Sequence, residues 1–253
     1  MDVDAYLARI GATRPAAPDA AALRELHARH LESVPFENLS IHLGEPIVLE
    51  SEALVDKIVR RRRGGFCYEL NGAFAELLRA LGFRVTLLAA RAYGDEGWGP
   101  PFDHLALRVD LAEPWLVDVG FGRHARYPLR MTAVESQHDP EGEFLVLDAP
   151  GGDLEVRRDG RPVCLLEARP RELADFRPTC WYHATSPESH FTRRLTCSLP
   201  VPGGRVTLSG DRLIETTGDA RTERTLSPDE ILPAYRKHFG IELDRVPELR
   251  PRA

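Results

Sequence analysis

Apolar residues recur at steps of three and four along the first third of the chain, a spacing that predicts amphipathic helices. In the first such segment Leu23 and Leu26 fall on one face, and Asp19 is placed to act as the N-cap. Ser51 is the expected cap of the second segment, and Gly82 supplies a stop for the third. The three predicted helices cover residues 19–34, 51–63 and 68–83.

Beyond residue 83 the pattern changes to short, largely apolar runs bounded by turn residues, which predicts strands. An Ala-Glu-Pro sequence separates the second run from the third and indicates a tight hairpin. A helical pattern returns near the end, with Ser227 as its cap and Gly240 at its end. The first three predicted strands cover residues 84–93, 104–111 and 114–121, and the last helix covers residues 227–243.

These elements together predict an α+β fold in three parts. We expect a helical bundle at residues 1–83, a mostly antiparallel sheet at residues 84–190 and a small α/β part at residues 191–253. Apolar residues make up 43% of the 253 positions, so the chain can bury a sizeable core.

Composition narrows the classes of function. The net charge of -6 argues against nucleic acid as the main partner. No run approaches the roughly 18 apolar residues that a membrane span needs, and the N-terminus lacks the order of a signal peptide. We therefore expect a cytoplasmic protein without a membrane partner, whose four cysteines stay reduced. The spacing of cysteines and histidines matches no metal motif, so we expect no bound metal.

Cys67 stands directly behind two glycines, at the start of a predicted helix. Unpaired backbone N–H groups and the helix dipole favour a thiolate there, and its pKa can be lowered for that reason. Gly64 and Gly65 would let a substrate carbonyl approach the backbone closely. Cys67 is therefore a candidate nucleophile. The ordinary alternative is an inert cysteine that acts as a small apolar residue at a turn.

A general base for this thiol is available in His104, the first residue of the second predicted strand. Asp118 lies in the next strand, and the hairpin places the two residues on neighbouring strands, where side chains on one face touch. The apolar flanks of Asp118 predict a buried carboxylate that needs a partner. The three residues would then form a Cys–His–Asp triad. The alternatives are a hydrogen-bonded core histidine and an aspartate that caps a turn.

The sequence VGFG directly follows the predicted aspartate and indicates a loop that presents an aromatic ring while its backbone lies against a ligand. We expect Gly120, Phe121 and Gly122 to contact substrate or cosubstrate, together with Phe36 and Phe66. An ordinary turn after a strand is the alternative.

Glu37 and Asn38 follow a Pro-Phe turn and are expected to pair with an arginine of the run at residues 60–63. Arg63 is the best placed because it adjoins the two glycines. A charge-assisted pair would fix the loop that carries the cysteine, so these three residues are expected to give structural support.

Taken together these residues resemble the arylamine N-acetyltransferase family, and the likeness covers nearly the whole chain in order. The combination of Arg-Gly-Gly-aromatic-Cys with Val-Asp-Val-Gly-Phe-Gly is its most specific part. The stretches that carry it are LRELHARHLESVPFENL at residues 23–39, RGGFCYELNGAFAELLRALGF at residues 63–83, HLALRV and LVDVGFG.

The resemblance implies a helical bundle, an antiparallel β-barrel and an α/β lid, with a core like that of cysteine proteases and transglutaminases. It assigns the catalytic roles to Cys67, His104 and Asp118. It also implies ping-pong transfer of an acetyl group from acetyl-CoA, as cosubstrate and without a bound cofactor, to an aromatic amine or hydrazine. A homo-oligomer is compatible with the sequence.

Three other functions remain open at this stage. One is an amide synthase that releases a polyketide primed by an aromatic amine. Another is a thiol hydrolase or amidase with the same triad and water as acceptor. The last is a binding module with an inactive site, which the presence of all three triad residues disfavours.

Overall fold

The computed structural model describes residues 1–249 of the chain. Within them, five α-helices precede residue 84, two lie between residues 177 and 193, and one lies near the end. The helices are α1 Val3–Ile10, α2 Ala20–Ser33, α3 Leu39–Leu43, α4 Ser51–Val55, α5 Cys67–Ala80, α6 Arg177–Thr185, α7 His190–Arg193 and α8 Pro228–Phe239. A π-helix continues α4 over Asp56–Arg60, and 3-10 turns occupy Pro150–Gly152 and Leu173–Phe176.

The strands form two antiparallel sheets, and together with the helices they confirm the predicted α+β fold. The strands are β1 Phe36–Glu37, β2 Arg84–Gly94, β3 Gly97–Trp98, β4 His104–Asp110, β5 Pro114–Val117, β6 Leu129–Arg130, β7 Gln137–Asp139, β8 Gly142–Asp148, β9 Leu154–Arg158, β10 Arg161–Arg171, β11 Thr196–Val201, β12 Gly204–Ser209, β13 Arg212–Thr217 and β14 Ala220–Thr225.

Some of the predicted helix ends are present in the structure and others are not. Asp19 accepts a hydrogen bond from the Ala22 N–H at 2.8 Å, and Gly240 ends α8 with a φ of 64°, so both predicted ends are confirmed. The prediction for residues 51–63 is wrong in two respects. Glu50 occupies the N-cap position of α4 without a side-chain cap, so Ser51 is already helical, and α4 passes into the π-helix.

The larger sheet has the order β6-β5-β4-β2-β10-β9-β8-β7, with β3 on β2. Its two end strands are joined by one side chain: the Gln137 amide accepts from the Arg130 N–H at 2.8 Å and donates to the Arg130 carbonyl at 3.0 Å. The sheet is thereby almost closed into a barrel. Its interior is apolar and includes Ala90, Ala106, Leu116, Phe144, Val156 and Leu166.

The smaller sheet has the order β1-β11-β12-β13-β14, and α8 packs on it. Buried residues of β11, β12 and β13 form one cluster with Tyr235 and Phe239 of that helix: Cys197, Leu199, Val206, Leu208 and Leu213. Strand β1 also contacts the loop before α5, because the Glu37 N–H donates to the Gly65 carbonyl at 2.9 Å. The C-terminal sheet is thus tied to the segment that carries Cys67. The division at residues 83 and 190 stays a prediction.

Candidate active site

Cys67 is the first residue of α5, and only 3% of its surface is exposed. The side chain of His104 and the backbone N–H of Leu105 adjoin the thiol, and both favour its thiolate form. Its Sγ lies 4.0 Å from the carbonyl oxygen of Asp103. The start of β4 therefore forms the wall beside the thiol.

Strand geometry brings His104 and Asp118 together. Side chains alternate between the faces of a strand. His104 shares its face of β4 with Ala106, and Asp118 continues the face of β5 that carries Leu116; both apolar residues belong to the barrel interior. The two polar side chains therefore meet at one end of the barrel, where His104 Nε2 lies 2.7 Å from Asp118 Oδ2.

The pKa values of this buried pair are displaced by their mutual attraction. Burial alone would raise the pKa of Asp118, but the charge of His104 and the hydrogen bond to it lower the value to about 2. Burial would lower the pKa of His104, yet the charge of Asp118 and its hydrogen bond hold that pKa well above the usual value. Since Nε2 faces Asp118, Nδ1 is the ring nitrogen available to Cys67.

The thiol itself behaves differently from the expectation. Burial raises the pKa of Cys67, while the hydrogen bond with His104 and the charge of His104 act against it. The lowered pKa expected from the helix terminus is therefore wrong, because the cost of burying a charged thiolate is the largest effect on this group. A thiolate at this place is stabilised as a pair with protonated His104, and the two groups titrate together.

Three glycines near the thiol serve close packing within the protein. A Cβ on Gly64 would lie 1.9 Å from the Pro35 carbonyl oxygen, and one on Gly65 would lie 2.7 Å from the side chain of Glu69. The expected approach of substrate over these two glycines is therefore wrong, because protein atoms fill the space. A Cβ on Gly120 would lie 2.8 Å from the Cα of Cys67.

Asn71 is the main site residue that sequence reasoning missed. It is fully buried on α5, and its amide donates to Asp118 Oδ1 at 2.8 Å and to the Leu105 carbonyl at 2.7 Å. Its oxygen accepts from the Val119 N–H at 2.9 Å. His27 accepts from the Asp118 N–H at 3.2 Å. Asn71 stands one helical turn after Cys67, and that spacing was the only signal in the sequence.

A buried group of charges fixes the loop before α5. Arg63 lies 3.0 Å from Glu37, so the expected ion pair is present. Lys57 and Glu69 form a second buried pair at 2.6 Å, which the sequence argument did not include. Glu69 also accepts from the Phe66 N–H at 3.3 Å. The two pairs therefore fix the residues on both sides of the glycines.

Asn38 does not join these ion pairs. Its amide donates to the carbonyl oxygens of Phe191 and Arg194, and its oxygen accepts from the Thr196 N–H at 2.9 Å. It thereby connects β1 to α7 and the start of β11. Asn38 supports the cavity wall instead of the cysteine loop.

A cavity of about 450 Å³ opens above the thiol, between the barrel and the smaller sheet. Phe36, Gly120 and Phe121 line it, and the ring of Phe121 lies 4.9 Å from that of His104. Two residues expected to contact a ligand do not form its wall. Phe66 is fully buried and packs on Phe191, and Gly122 faces the ring of Phe36.

Residues 1–249 contain neither a cluster of metal ligands nor a membrane-spanning helix. No group of three or more His, Cys, Asp or Glu side chains in this part of the chain could hold a metal ion. Over the same range, no helix combines the length and the apolar character that crossing a membrane requires.

Comparison with known proteins identifies the class. The sequence profile of a family described as N-acetyltransferase matches residues 19–247. The arylamine N-acetyltransferase of Mycolicibacterium smegmatis is 35% identical over 260 residues, which cover 96% of this chain and 93% of that protein. The chain therefore belongs to the arylamine N-acetyltransferase family, as the sequence motifs predicted.

Solved structures agree with the family and with the predicted fold class. The arylamine N-acetyltransferase of Salmonella typhimurium superposes with a TM-score of 0.88 at 29% identity, covering 98% of this chain and 94% of that one. The Mycobacterium marinum enzyme in complex with CoA gives a TM-score of 0.85 at 31% identity, covering 95% and 93%.

Proposed function

We propose that this chain transfers an acetyl group from acetyl-CoA to the nitrogen of an arylamine or arylhydrazine, through an acetyl thioester on Cys67. The observation that carries the proposal is the 2.7 Å contact of His104 Nε2 with Asp118, which leaves Nδ1 for the thiol. Membership of the arylamine N-acetyltransferase family supports the reaction, and the M. marinum complex with CoA supports acetyl-CoA as cosubstrate.

In the first half of the reaction, His104 takes the proton of Cys67, and the thiolate attacks the thioester carbonyl of acetyl-CoA. The bond between the carbonyl carbon and the sulfur of CoA breaks, and CoA leaves with the proton that His104 returns. Asp118 keeps the imidazole oriented and stabilises its protonated form. The first N–H groups of a helix have no partner within it, so those of Cys67 and Tyr68 at the start of α5 are suited to bind the oxyanion.

In the second half, the acceptor nitrogen attacks the acetyl group on Cys67 and gives a proton to His104. The bond to Sγ breaks, the amide leaves, and the proton returns to the cysteine. Phe36, Gly120 and Phe121 line the space that both substrates use in turn. Glu37, Asn38 and Arg63 hold the surrounding loops in place.

Three broader features belong to the same proposal. The chain consists of a helical bundle, a barrel and a lid divided near residues 83 and 190. It acts in the cytoplasm, where the four thiols, all free in the described structure, stay reduced. A homo-oligomer is compatible with this arrangement.

Initial rates measured over a grid of acetyl-CoA and arylamine concentrations test the mechanism. We expect parallel double-reciprocal lines, since CoA leaves before the amine reacts. Cys67→Ala should abolish turnover, whereas Cys197→Ala, the same change in another buried cysteine, should leave it near normal. Intersecting lines would instead indicate direct transfer in a ternary complex. Release of acetate at a rate that the amine does not change would identify a hydrolase.

A further inference from the structure

Asp103 carries a carboxylate at the wall of the active-site cavity, and the steps above give it no role. The residue directly precedes His104 and lines the cavity, and about 10% of its side chain is exposed. Its own carbonyl oxygen is 4.0 Å from Cys67 Sγ and accepts from the Tyr68 hydroxyl at 3.0 Å. The carboxylate belongs to a residue that lines the same cavity as Cys67, and its charge acts on the thiol by raising the pKa of Cys67.

Both carboxylate oxygens are held by the protein. His183 Nε2 lies 3.0 Å from Oδ1, and the Ala92 N–H donates to Oδ2 at 3.1 Å. Nδ1 of His183 in turn lies 3.3 Å from Ser189 Oγ, at the start of α7. A Cβ on Gly99 would lie 2.3 Å from Oδ2, so only a glycine leaves room for this arrangement. The side chain has a fixed position at the cavity wall.

The fixed carboxylate is ionised near neutral pH. Burial alone would raise the pKa of Asp103, but the imidazole of His183, 3.0 Å away, outweighs burial and lowers the pKa. A carboxylate oxygen has two lone pairs, so each oxygen can accept one more hydrogen bond. Asp103 therefore offers a negatively charged acceptor to a molecule in the cavity.

This charge does not assist the first half of the reaction. The charge of Asp103 raises the pKa of Cys67 and so opposes formation of the thiolate. The second half differs, because a neutral amine that attacks a thioester gains positive charge on its nitrogen before it loses a proton. A nearby carboxylate stabilises that charge and can accept one N–H while His104 takes the other proton.

We propose that Asp103 determines acceptor specificity by accepting a hydrogen bond from the nucleophilic nitrogen of the acceptor. The inference rests on the proposed function, since it concerns the second half of that reaction. The favoured acceptors are primary amines and hydrazines, whose attacking nitrogen carries two N–H bonds. A thiol or an N-methylarylamine lacks the N–H that Asp103 would bind.

Two rates measured on Asp103→Asn test the proposal. The first is exchange of labelled CoA into acetyl-CoA without amine, which reports only the first half-reaction. The second is amide formation from a primary arylamine. We expect the exchange rate to stay within about twofold and amide formation to fall about tenfold, the loss typical of one hydrogen bond to a charged group. The smaller rate with an N-methylarylamine should change little.

Asp110→Asn is the matched control. It removes the same charge from the far end of β4, where Asp110 pairs with Arg108 at 2.7 Å, and should leave both rates unchanged. His183→Gln removes the imidazole beside the carboxylate and should lower amide formation relative to CoA exchange. This variant tests the proposal again if Asp103→Asn does not fold.

Equal losses in exchange and amide formation would overturn the inference, because they would show that Asp103 affects only the reactivity of Cys67 and does not act on the acceptor. Unchanged amide formation would overturn it as well. Failure of the proposed function itself would look different, since the unaltered protein would then show no exchange of CoA.

Discussion

Asn71 Nδ2 lies 2.8 Å from Asp118 Oδ1 and joins the helix of the proposed nucleophile to the carboxylate of the proposed triad. The same side chain also satisfies the Leu105 carbonyl and the Val119 N–H on either side of that carboxylate. The positions of Cys67 and Asp118 are therefore set by one buried amide, which connects α5 to the ends of two barrel strands.

Replacement of this amide should lower both stability and activity. Asn71→Ala leaves buried polar groups of Leu105, Val119 and Asp118 without a partner, and each such group costs about 1–3 kcal/mol. Urea unfolding should show a loss in that range or larger, and kcat/KM should fall because Asp118 is no longer fixed. Glu76→Ala, at a half-exposed position of the same helix, serves as the control. Normal values of both quantities would rule out this role for Asn71.

His104 should control the pH at which Cys67 reacts. Burial raises the pKa of Cys67, and the hydrogen bond and charge of His104 are the largest influences against it. In His104→Gln the charge is absent, so alkylation of Cys67 by iodoacetamide should begin at higher pH than in the unaltered protein. Peptide mapping by mass spectrometry would follow each cysteine. An unchanged pH profile would show that His104 does not influence the ionisation of the Cys67 thiol.

Buried cysteines supply an internal control for that experiment. Burial raises the pKa of Cys164 and of Cys197 well above the usual value. Both should react slowly in the folded protein, with or without His104.

Asp118 should contribute stability that is lost in acid. Its pKa is about 2 in the folded chain, against about 4 for a free aspartate, so the contribution is complete above pH 4 and disappears as the pH falls towards 2. The difference in unfolding free energy between the unaltered protein and Asp118→Asn should be about 2–3 kcal/mol from this shift near pH 5. It should shrink between pH 4 and pH 2. A difference that stays constant over this interval would contradict the lowered pKa.

Gly120→Ala should disturb the site by steric contact. The added Cβ would lie 2.8 Å from the Cα of Cys67 and 2.8 Å from Asn71 Nδ2, so the loop after Asp118 has to move away from α5. We expect kcat to fall at least about tenfold, since small displacements of reacting groups carry large rate penalties. Gly94→Ala, where the new Cβ meets nothing within 4 Å, should keep normal activity. Equal activity of the two variants would show that the close packing has no effect on catalysis.

The features that the sequence predicted correctly depend on local patterns. Apolar spacing located α2, α5 and α8, and the Ala-Glu-Pro turn gave the hairpin that places His104 beside Asp118. These signals act over a few residues, so they can be read without the fold. The family motifs then identified the chain as an arylamine N-acetyltransferase family member.

The remaining site features depend on contacts between distant segments and on burial. Asn71 meets Asp118 across 47 positions of the chain, and His183 of α6 meets Asp103 just before β4, which no local pattern indicates. The direction of the Cys67 pKa shift depends on how deeply the thiol is buried. The space beside Gly64 is occupied by the Pro35 carbonyl and is not open to substrate. These facts follow from packing alone.

Acetylation of Cys67 tests the central claim most directly. The protein is incubated with acetyl-CoA in the absence of amine, digested in acid and mapped by mass spectrometry. We expect one added acetyl group, on the peptide that contains Cys67, and its loss within one turnover after an arylhydrazine is added. Absence of acetyl from Cys67, or acetyl found there that the hydrazine does not remove, would contradict transfer through this thiol.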